Sequence, residues 1–236
     1  MCKIVKTHGE DLRKTMGWRK DMKEGGHQIY KTSSGLEVPS VTTIVAIRDK
    51  SSVLVPWANK LGLQGIEVKQ YIDEKAEIGS LAHRMILDYF LNEETNLAGY
   101  SEEVIEKATN SFISFLKWTK GKEIKPLFIE QSLVSEKELF GGTPDFYGLL
   151  DGEKTIIDYN TGSRIYREYL YQLAGYSILL EEAGYEVKQV LIVRIPRSED
   201  EEFSVQYIDT LEKERLIFRH LLAIYYLEKI VYLLDT

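Results

Sequence analysis

The pattern of the chain changes near residue 124, where helical spacing gives way to three runs rich in β-forming residues. The runs are IKPLFIEQSLVS, LFGGTPDFYGLL and KTIIDYN, and an Asp151-Gly152 pair, a strong hairpin signal, separates the last two. A segment of helical period, SRIYREYLYQLAGYSILLEEAG, comes next, and the buried-strand pattern EVKQVLIVRIP follows it. We therefore expect three adjacent antiparallel strands, then a helix and a further strand.

Helical periodicity dominates the rest of the chain. A short hairpin about Ser33-Ser34-Gly35 precedes a helix capped by Ser40 or Thr42, and two or three helices follow, the last over about 77–91. Ser101 caps a helix that ends at Gly121, and the strand FSVQYI leads into a final helix over about 210–234. The predicted order is a helical N-terminal half followed by α-β-β-β-α-β.

This order predicts an α/β fold, with a mixed central sheet flanked by helices and a helical N-terminal elaboration. A chain of 236 residues can bury a substantial core as one domain, and no linker-like stretch divides it. We expect a single domain over 1–236, with an arm, hairpin and helices over 1–100 and the core over 101–236.

Composition restricts the class of protein. The chain has one cysteine, Cys2, so it offers no cysteine framework for an iron–sulfur cluster or a disulfide scaffold. It has no run of eighteen uncharged apolar residues and no signal-peptide pattern, which predicts a cytoplasmic protein without a membrane partner. A net charge of −7 argues against a nonspecific DNA coat. Basic residues nevertheless cluster at 12–23, at 117–125, and around Arg164, Arg167, Arg194 and Arg197.

Two aspartates flank the predicted hairpin. Asp158 and Asn160 point to one face of their strand because they are two residues apart, and the glycines and Pro144 predict a bend that aims Asp145 toward Asp158. Two converging carboxylates need a shared cation or proton, and an oxygen-rich site suits magnesium or manganese. Taken singly, each aspartate also has a structural interpretation, as a turn residue or as an ion-pair partner.

The combination GGTPDFYG, IIDYNTG and YQLAGY resembles the core of the PD-(D/E)XK nuclease superfamily, in particular its RecB-like and lambda-exonuclease-like branch of phage and viral type. The signature of that branch is an Asp, an acid-x-Lys and a Gln-xxx-Tyr. EIGSLAHRMI is similar to its Gly-xxx-His helix, and VPSVTTI resembles the opening of related phage and viral members. The likeness touches residues from about 38 to 195, and its core implies a restriction-endonuclease-like topology.

The resemblance implies roles for individual residues. Asp145 and Asp158 would bind one or two Mg²⁺ or Mn²⁺ ions, His83 would add a nitrogen ligand, and the Tyr159 carbonyl would contribute an oxygen. Gln172 and Tyr176 would complete the catalytic set and position DNA, and Glu130 matches an additional acidic position. Basic and aromatic residues beside the motif are the candidate DNA contacts: Arg164, Tyr166, Arg167, Gln172 and Tyr176. By its structural interpretation, His83 is a partly buried helix residue.

Asn160 stands where the resemblance implies the catalytic lysine. An amide brings no positive charge, so we expect turnover to fall by roughly 100- to 1000-fold while metal and DNA binding survive. Three explanations compete: an engineered inactivating substitution, which the intact remainder of the motif favours, a cation that has moved elsewhere, or a non-cleaving descendant. Arg164 and Lys154 are the candidates for a displaced cation.

Two classes of function follow. The first is a metal-dependent deoxyribonuclease, an exonuclease acting on double- or single-stranded DNA ends in recombination, repair or phage DNA processing, with a structure-specific endonuclease as the alternative. The second is a non-catalytic DNA- or protein-binding module on the same fold. A recombination partner protein and a homo-oligomer are further expectations that the resemblance implies.

Overall fold

The structure is a computed structural model that describes residues 28–48 and 50–234. Within these ranges the helices are α1 (Val41–Val45), α2 (Ser51–Leu63), α3 (Val68–Leu91), α4 (Glu102–Thr119), α5 (Arg167–Glu182) and α6 (Glu212–Leu234). The strands are β1 (Tyr30–Lys31), β2 (Glu37–Val38), β3 (Ile124–Ile129), β4 (Leu133–Ser135), β5 (Phe140–Gly142), β6 (Phe146–Leu150), β7 (Glu153–Asn160), β8 (Gln189–Arg194) and β9 (Ser204–Ile208). The N-terminal arm with its basic stretch 12–23 lies outside the described residues.

A five-stranded mixed sheet forms the centre of the fold, in the order β3-β6-β7-β8-β9. β7 and β8 are parallel, and the other neighbouring pairs are antiparallel. Asp151 and Gly152, both with positive φ, form the turn between β6 and β7, as the hairpin signal predicts. The predicted α/β class is confirmed, with helices on both faces of the sheet.

Two of the three predicted β runs are broken, so the simple three-strand interpretation was incomplete. The first run contains β3 and β4, and the second contains β5 and β6. β4 and β5 pair with each other in a separate two-stranded sheet. The first break follows Glu130, which has a φ of 46°. The second falls at Thr143-Pro144-Asp145, where proline cannot donate to a strand ladder.

The helices agree with the sequence patterns except at one boundary. Ser40 is the N-cap of α1, and its hydroxyl oxygen accepts a hydrogen bond from the Thr43 backbone N–H. α3 begins at Val68, well before the predicted start near residue 77, because the Glu67 side chain caps it by accepting bonds from the Lys69 and Gln70 backbone N–H groups. α3 therefore spans 24 residues, and His83 lies in its second half, two turns before its end.

The core lies on both faces of the central sheet. Alternate residues of β7 and β8, Ile157, Tyr159, Leu191 and Val193, pack with α3 and α4. The intervening residues Ile156, Val190 and Ile192 pack with α1, α5 and α6. Asp158 and Asn160 continue the second set toward the end of β7. No helix among the described residues is both long and apolar enough to cross a bilayer.

Candidate active site

The Asp145 carboxylate lies at the bend between β5 and β6. The antiparallel register of β6 and β7 pairs Phe146 with Ile157. Asp145 precedes Phe146 and Asp158 follows Ile157, so the same register sets the two aspartates opposite each other. The Asp145 Oδ2 atom accepts a 2.8 Å hydrogen bond from the Tyr159 backbone N–H, which fixes the carboxylate against β7. The bend that Pro144 introduces therefore brings the two aspartates to one place at the end of the sheet.

Asp158 is a buried carboxylate, only 8 % exposed. Burial raises the pKa of Asp158 well above its ordinary value, and the nearby Asp145 charge raises it further, whereas the charge of His83 opposes the shift. An isolated buried carboxylate is costly, and a second one beside it adds repulsion. Both aspartates can remain ionised at this point only if a cation compensates them.

His83 approaches the carboxylates from α3. Its Nε2 atom lies 2.8 Å from the Tyr159 carbonyl oxygen, and its Nδ1 atom lies 3.5 Å from Asp145 Oδ1. Burial lowers the pKa of His83, but the Asp145 carboxylate, with smaller contributions from Glu130 and Asp158, outweighs burial and raises that pKa to about 10. The imidazolium is thus the cation that this cluster holds in the absence of a metal. The side chains of His83 and Asp145 remain 25 % and 19 % exposed, so solvent reaches them.

Gly79 explains how α3 comes close enough for this contact. A Cβ atom at position 79 would lie 3.1 Å from the Thr161 hydroxyl oxygen, just beyond the end of β7. The absent side chain lets the helix lie against that segment, and His83 follows four residues later on the same helix face. The Gly-xxx-His spacing therefore has a packing function in addition to the ligand role that the resemblance implies.

Tyr159 contributes backbone atoms to the cluster and its side chain to the core. Its ring faces α3 and α4, where it packs edge-to-face with Phe115 at a centroid distance of 5.4 Å. Its N–H and carbonyl meet Asp145 and His83 respectively. The local conformation of β7 at this point is consequently set by core packing, and the position of the site depends on it.

Glu130 belongs to the electrostatic surroundings of the cluster. Its backbone N–H donates a 3.1 Å hydrogen bond to the Asp145 carbonyl oxygen. Burial raises the pKa of the Glu130 carboxyl, the positive charge of His83 lowers it, and the charge of Asp145 raises it. The structure thus brings Glu130 to the rim of the same site.

Asn160 is engaged in local structure. It is 3 % exposed, and its Oδ1 atom accepts a 2.6 Å hydrogen bond from the Gly162 backbone N–H. Burial raises the pKa of the Tyr169 hydroxyl, and a hydrogen bond with the Asn160 side chain lowers it. The amide therefore organises the turn after β7 and links it to α5, two contacts that the sequence did not indicate.

Tyr176 is within electrostatic range of the carboxylates, whereas the predicted cationic contacts are peripheral. Burial raises the pKa of Tyr176 well above its usual value, and the charges of Asp145 and Asp158 raise it further. A Cβ atom at position 142 would lie 2.8 Å from the Tyr176 ring, so Gly142 leaves the space that the ring occupies. Gln172 is half-buried one turn earlier on α5. Arg164, Tyr166 and Arg167 are exposed at the beginning of α5, outside the buried cluster.

Arg194 is better placed to supply a displaced positive charge than Lys154 is. Lys154 lies at the opposite end of β7, where it pairs with Glu186 at 3.3 Å, so it is remote from the site. Arg194, in contrast, is the register partner of Asn160 on β8. The Arg194 Nε atom is buried without a hydrogen-bond partner. Because register partners in a sheet share a face, Arg194 lies on the same side of the sheet as Asp158 and Asn160.

The donors suit a hard divalent cation by type. Two carboxylates, a carbonyl oxygen and one imidazole nitrogen are ligands that magnesium and manganese accept. Among residues 28–48 and 50–234, however, no three His, Cys, Asp or Glu side chains stand as a ready-made cage for an ion. The cluster fits such a cation in its chemistry and in its excess negative charge, and His83 could bind an ion through Nδ1 while its Nε2–H keeps the hydrogen bond to the Tyr159 carbonyl.

The similarity of this chain to known proteins lies among solved structures. No protein-family model matches the chain, and no curated protein matches it. Among solved structures, the chain is similar to an alkaline exonuclease, LHK-Exo, from Laribacter hongkongensis, at 14 % identity and a TM-score of 0.33 over 68 % of this chain and 91 % of that one. A structure of LHK-Exo in complex with dAMP is similar at 14 % identity and a TM-score of 0.32, over 68 % and 92 % of the two chains. A TM-score of this size carries no argument about function, so the function must be inferred from the site.

Proposed function

We propose that this protein is a divalent-metal-dependent deoxyribonuclease that hydrolyses phosphodiester bonds. The observation that carries the proposal is the convergence of Asp145, Asp158 and His83 at one end of the central sheet. Paired carboxylates with little exposure are costly in a structural role, because each raises the energy of the other's charged form. A site that binds a metal ion accounts for that cost, and the motif resemblance supports a nuclease in particular.

The proposed metal ligands are Asp145, Asp158, His83 and the Tyr159 carbonyl, for Mg²⁺ or Mn²⁺, with Glu130 as an additional acid. A bound cation would polarise the scissile phosphate and lower the pKa of an attacking water. Before His83 can act as a ligand it must release its proton, because only the neutral imidazole binds metal. Metal binding should therefore release a proton from a group whose pKa is about 10 in the metal-free protein.

Residues of α5 and of the segment just before it are the proposed contacts to DNA. Tyr176 is within electrostatic range of both carboxylates, Gln172 lies one turn earlier on α5, and the exposed Arg164, Tyr166 and Arg167 would extend the surface from the start of the helix. Arginine pairs well with phosphate, and tyrosine can stack on bases. The motif resemblance favours an exonuclease acting on DNA ends in recombination, repair or phage DNA processing, with a structure-specific endonuclease as the alternative.

Asn160 should make this chain a weak nuclease. Its oxygen is already held by Gly162, and an amide cannot offset the charge that develops on the phosphate. We expect turnover to be roughly 100- to 1000-fold below that of a form with a cation at this position. Metal binding and DNA binding should be preserved, because Asn160 is not among the proposed ligands.

The decisive experiment compares the unmodified chain, which carries Asn160, with Asn160→Lys and with Asn160→Met, because methionine is uncharged and similar in length to lysine. Each protein is incubated with Mg²⁺ or Mn²⁺ and with end-labelled double-stranded, single-stranded and circular DNA. Activity that rises only in Asn160→Lys, and only on substrates with ends, supports the exonuclease. Equal inactivity of all three proteins, with no metal binding by calorimetry, would contradict the proposal.

A displaced cation makes a different prediction. Strong cleavage by the natural chain, lost in Arg164→Ala or in Arg194→Ala, would assign the charge to that arginine. The position of Arg194 beside Asn160 and its unpartnered Nε atom make it the better placed of the two.

A non-catalytic DNA- or protein-binding module is the second candidate function. The observation that favours it is the local role of Asn160, whose side chain contacts Gly162 and Tyr169 and stabilises the turn after β7. A module of this kind would bind DNA without metal and would remain inactive after Asn160→Lys. The same cleavage experiment, combined with a DNA-binding measurement in EDTA, separates the two functions.

A further inference from the structure

The C-terminal helix α6 has two apolar faces. One face packs into the core through Phe218, Leu221 and Leu222. The opposite face carries six large aliphatic side chains that stay exposed: Leu216 59 %, Ile217 38 %, Ile224 42 %, Leu227 60 %, Ile230 55 % and Val231 56 %. Scattered exposed aliphatic residues are ordinary, but a continuous row of this kind typically marks a contact surface.

The exposed row follows a seven-residue repeat. Ile217, Ile224 and Val231 are seven residues apart, and His220 and Leu227 each follow three residues after the first two. This is the a and d spacing of helices that pack along a shared seam. We call residues 217, 220, 224, 227 and 231 the α6 seam, and Leu216 and Ile230 widen it on one side.

We propose that the α6 seam pairs with the same seam of a second copy of this chain, in a parallel two-helix arrangement. β-Branched residues at a and leucine at d favour two parallel strands, and here the three a positions are Ile217, Ile224 and Val231, while the two d positions are His220 and Leu227. A two-fold interface brings identical positions together, so a row of aliphatic residues is complementary to itself. The seam positions carry no Asp, Glu, Lys or Arg, so that pairing places no like charges together.

The size of the seam sets the strength of the dimer. Six aliphatic side chains at about half exposure supply on the order of 300 Å² of apolar surface per protomer. This is less than the roughly 800 Å² per partner of a standard stable interface, so the dimer should be weak, with a dissociation constant on the order of micromolar or higher. Two heptads are too few for a free-standing coiled coil. The core already holds α6 in its helical conformation, so the seam does not have to stabilise the helix and supplies only the intermolecular contact.

The test measures mass against concentration for the full chain by sedimentation velocity. The natural protein should shift from 27.2 kDa toward twice that mass as its concentration rises through the expected dissociation constant. Leu227→Glu should remain a monomer at every concentration, since it buries two carboxylates in the seam. Leu63→Glu is the matched control, because Leu63 is 81 % exposed on α2, and it should dimerise as the natural chain does. Circular dichroism verifies that both variants fold. A natural chain that stays monomeric, or a Leu227→Glu variant that dimerises equally well, would overturn the proposal.

Cysteine cross-linking tests the orientation. Cys2 is the sole cysteine, so a Cys2→Ser background gives a chain without thiols. In that background, Ile217→Cys and Val231→Cys should each form a disulfide dimer on oxidation, because a parallel seam places identical positions within disulfide reach. Leu63→Cys should cross-link no faster than random collision allows. Cross-linking only in a mixture of the two seam variants would overturn the parallel arrangement. Neither readout depends on the nuclease proposal, since the seam contains no proposed site residue.

Discussion

The two ends of β7 differ in the exposure and the pairing of their charged groups. At the hairpin end, Lys154 and Lys188 pair with Glu186, and the three side chains are 47 %, 56 % and 50 % exposed. At the other end, Asp158 is buried beside Asp145, and the compensating positive charge is the single imidazolium of His83. Exposed ion pairs contribute little to stability, whereas buried like charges cost free energy until a cation or proton joins them. The strand therefore carries an electrostatic cost at one end alone, and a bound ion would relieve it.

Substitutions at the two ends of β7 should differ most in their effect on DNA cleavage. In the Asn160→Lys background, Asp145→Asn should reduce metal-dependent cleavage by about 1000-fold, because a proposed charged ligand becomes neutral. The amide oxygen can still accept the hydrogen bond from the Tyr159 N–H, so the fold should be retained. Cleavage of end-labelled DNA and calorimetric titration with Mn²⁺ are the measurements.

Glu153→Gln provides the control for this substitution. Glu153 is an exposed carboxylate at the hairpin end of the same strand, and its neutralisation should leave both cleavage and metal binding unchanged. If Asp145→Asn bound Mn²⁺ as tightly as its parent, the assignment of Asp145 as a ligand would be wrong.

Removing the charge of Asp158 should stabilise the metal-free protein. Its pKa is raised in the folded state, so the folded state binds the proton more tightly than the unfolded state does. The stabilisation that comes from this proton is fully present at pH values below the ordinary pKa of aspartate. It is lost as the pH rises through the raised pKa of Asp158. Asp158→Asn resembles the protonated form, and its free energy of unfolding should exceed that of the natural chain by about 1 to 4 kcal/mol once the pH passes that point.

Chemical denaturation in EDTA across a pH series measures this gain. The difference between the two proteins should be small in acid and grow with pH, and saturating Mg²⁺ should reduce it by stabilising the natural chain alone. A natural chain that is more stable than Asp158→Asn at alkaline pH in EDTA would show that the carboxylate is already compensated.

The protonated His83 side chain should make the free energy of unfolding depend on pH in a second way. The raised pKa of His83 means that its protonated form stabilises the fold below the ordinary histidine pKa, and that this contribution disappears as the pH rises through about 10. His83→Gln keeps a donor for the Tyr159 carbonyl but does not titrate. Relative to that variant, the natural chain should lose about 3 to 4 kcal/mol of unfolding free energy as the pH rises from neutral to the raised pKa of about 10. A constant difference between the two proteins would rule out the imidazolium.

Local signals explain which parts of the fold could be predicted from the sequence. The Asp151-Gly152 turn and the Ser40 cap depend on residues next to them in the chain, so their residue types indicate them directly. The break after β3 could not be predicted in this way. It depends on a positive φ at Glu130, a residue type that does not favour that conformation.

The sequence indicated that the two aspartates converge, but it did not indicate the contacts that other residues make with them. The bend at Pro144 and the two-residue spacing of Asp158 and Asn160 indicated converging side chains, because both are short-range features. The contact of His83 with Tyr159 joins residues 76 positions apart, and only the packing of α3 against the end of β7 creates it. Likewise, the pairing of Asn160 with Arg194 depends on the parallel register of β7 and β8, which no local pattern encodes.

The smallest effect should come from the hairpin end. Lys154→Met removes the 3.3 Å contact with Glu186, whose carboxylate is still paired with Lys188. Because these groups are exposed, water replaces the lost interaction at little cost. We expect no measurable change in the unfolding midpoint, in its pH dependence or in Mn²⁺ binding, when the variant and the natural chain are compared by denaturation and calorimetry in the same buffers. A Lys154→Met variant that altered stability as much as Asp158→Asn would abolish the contrast between the two ends, and with it the argument that the buried carboxylates are retained for ligand binding.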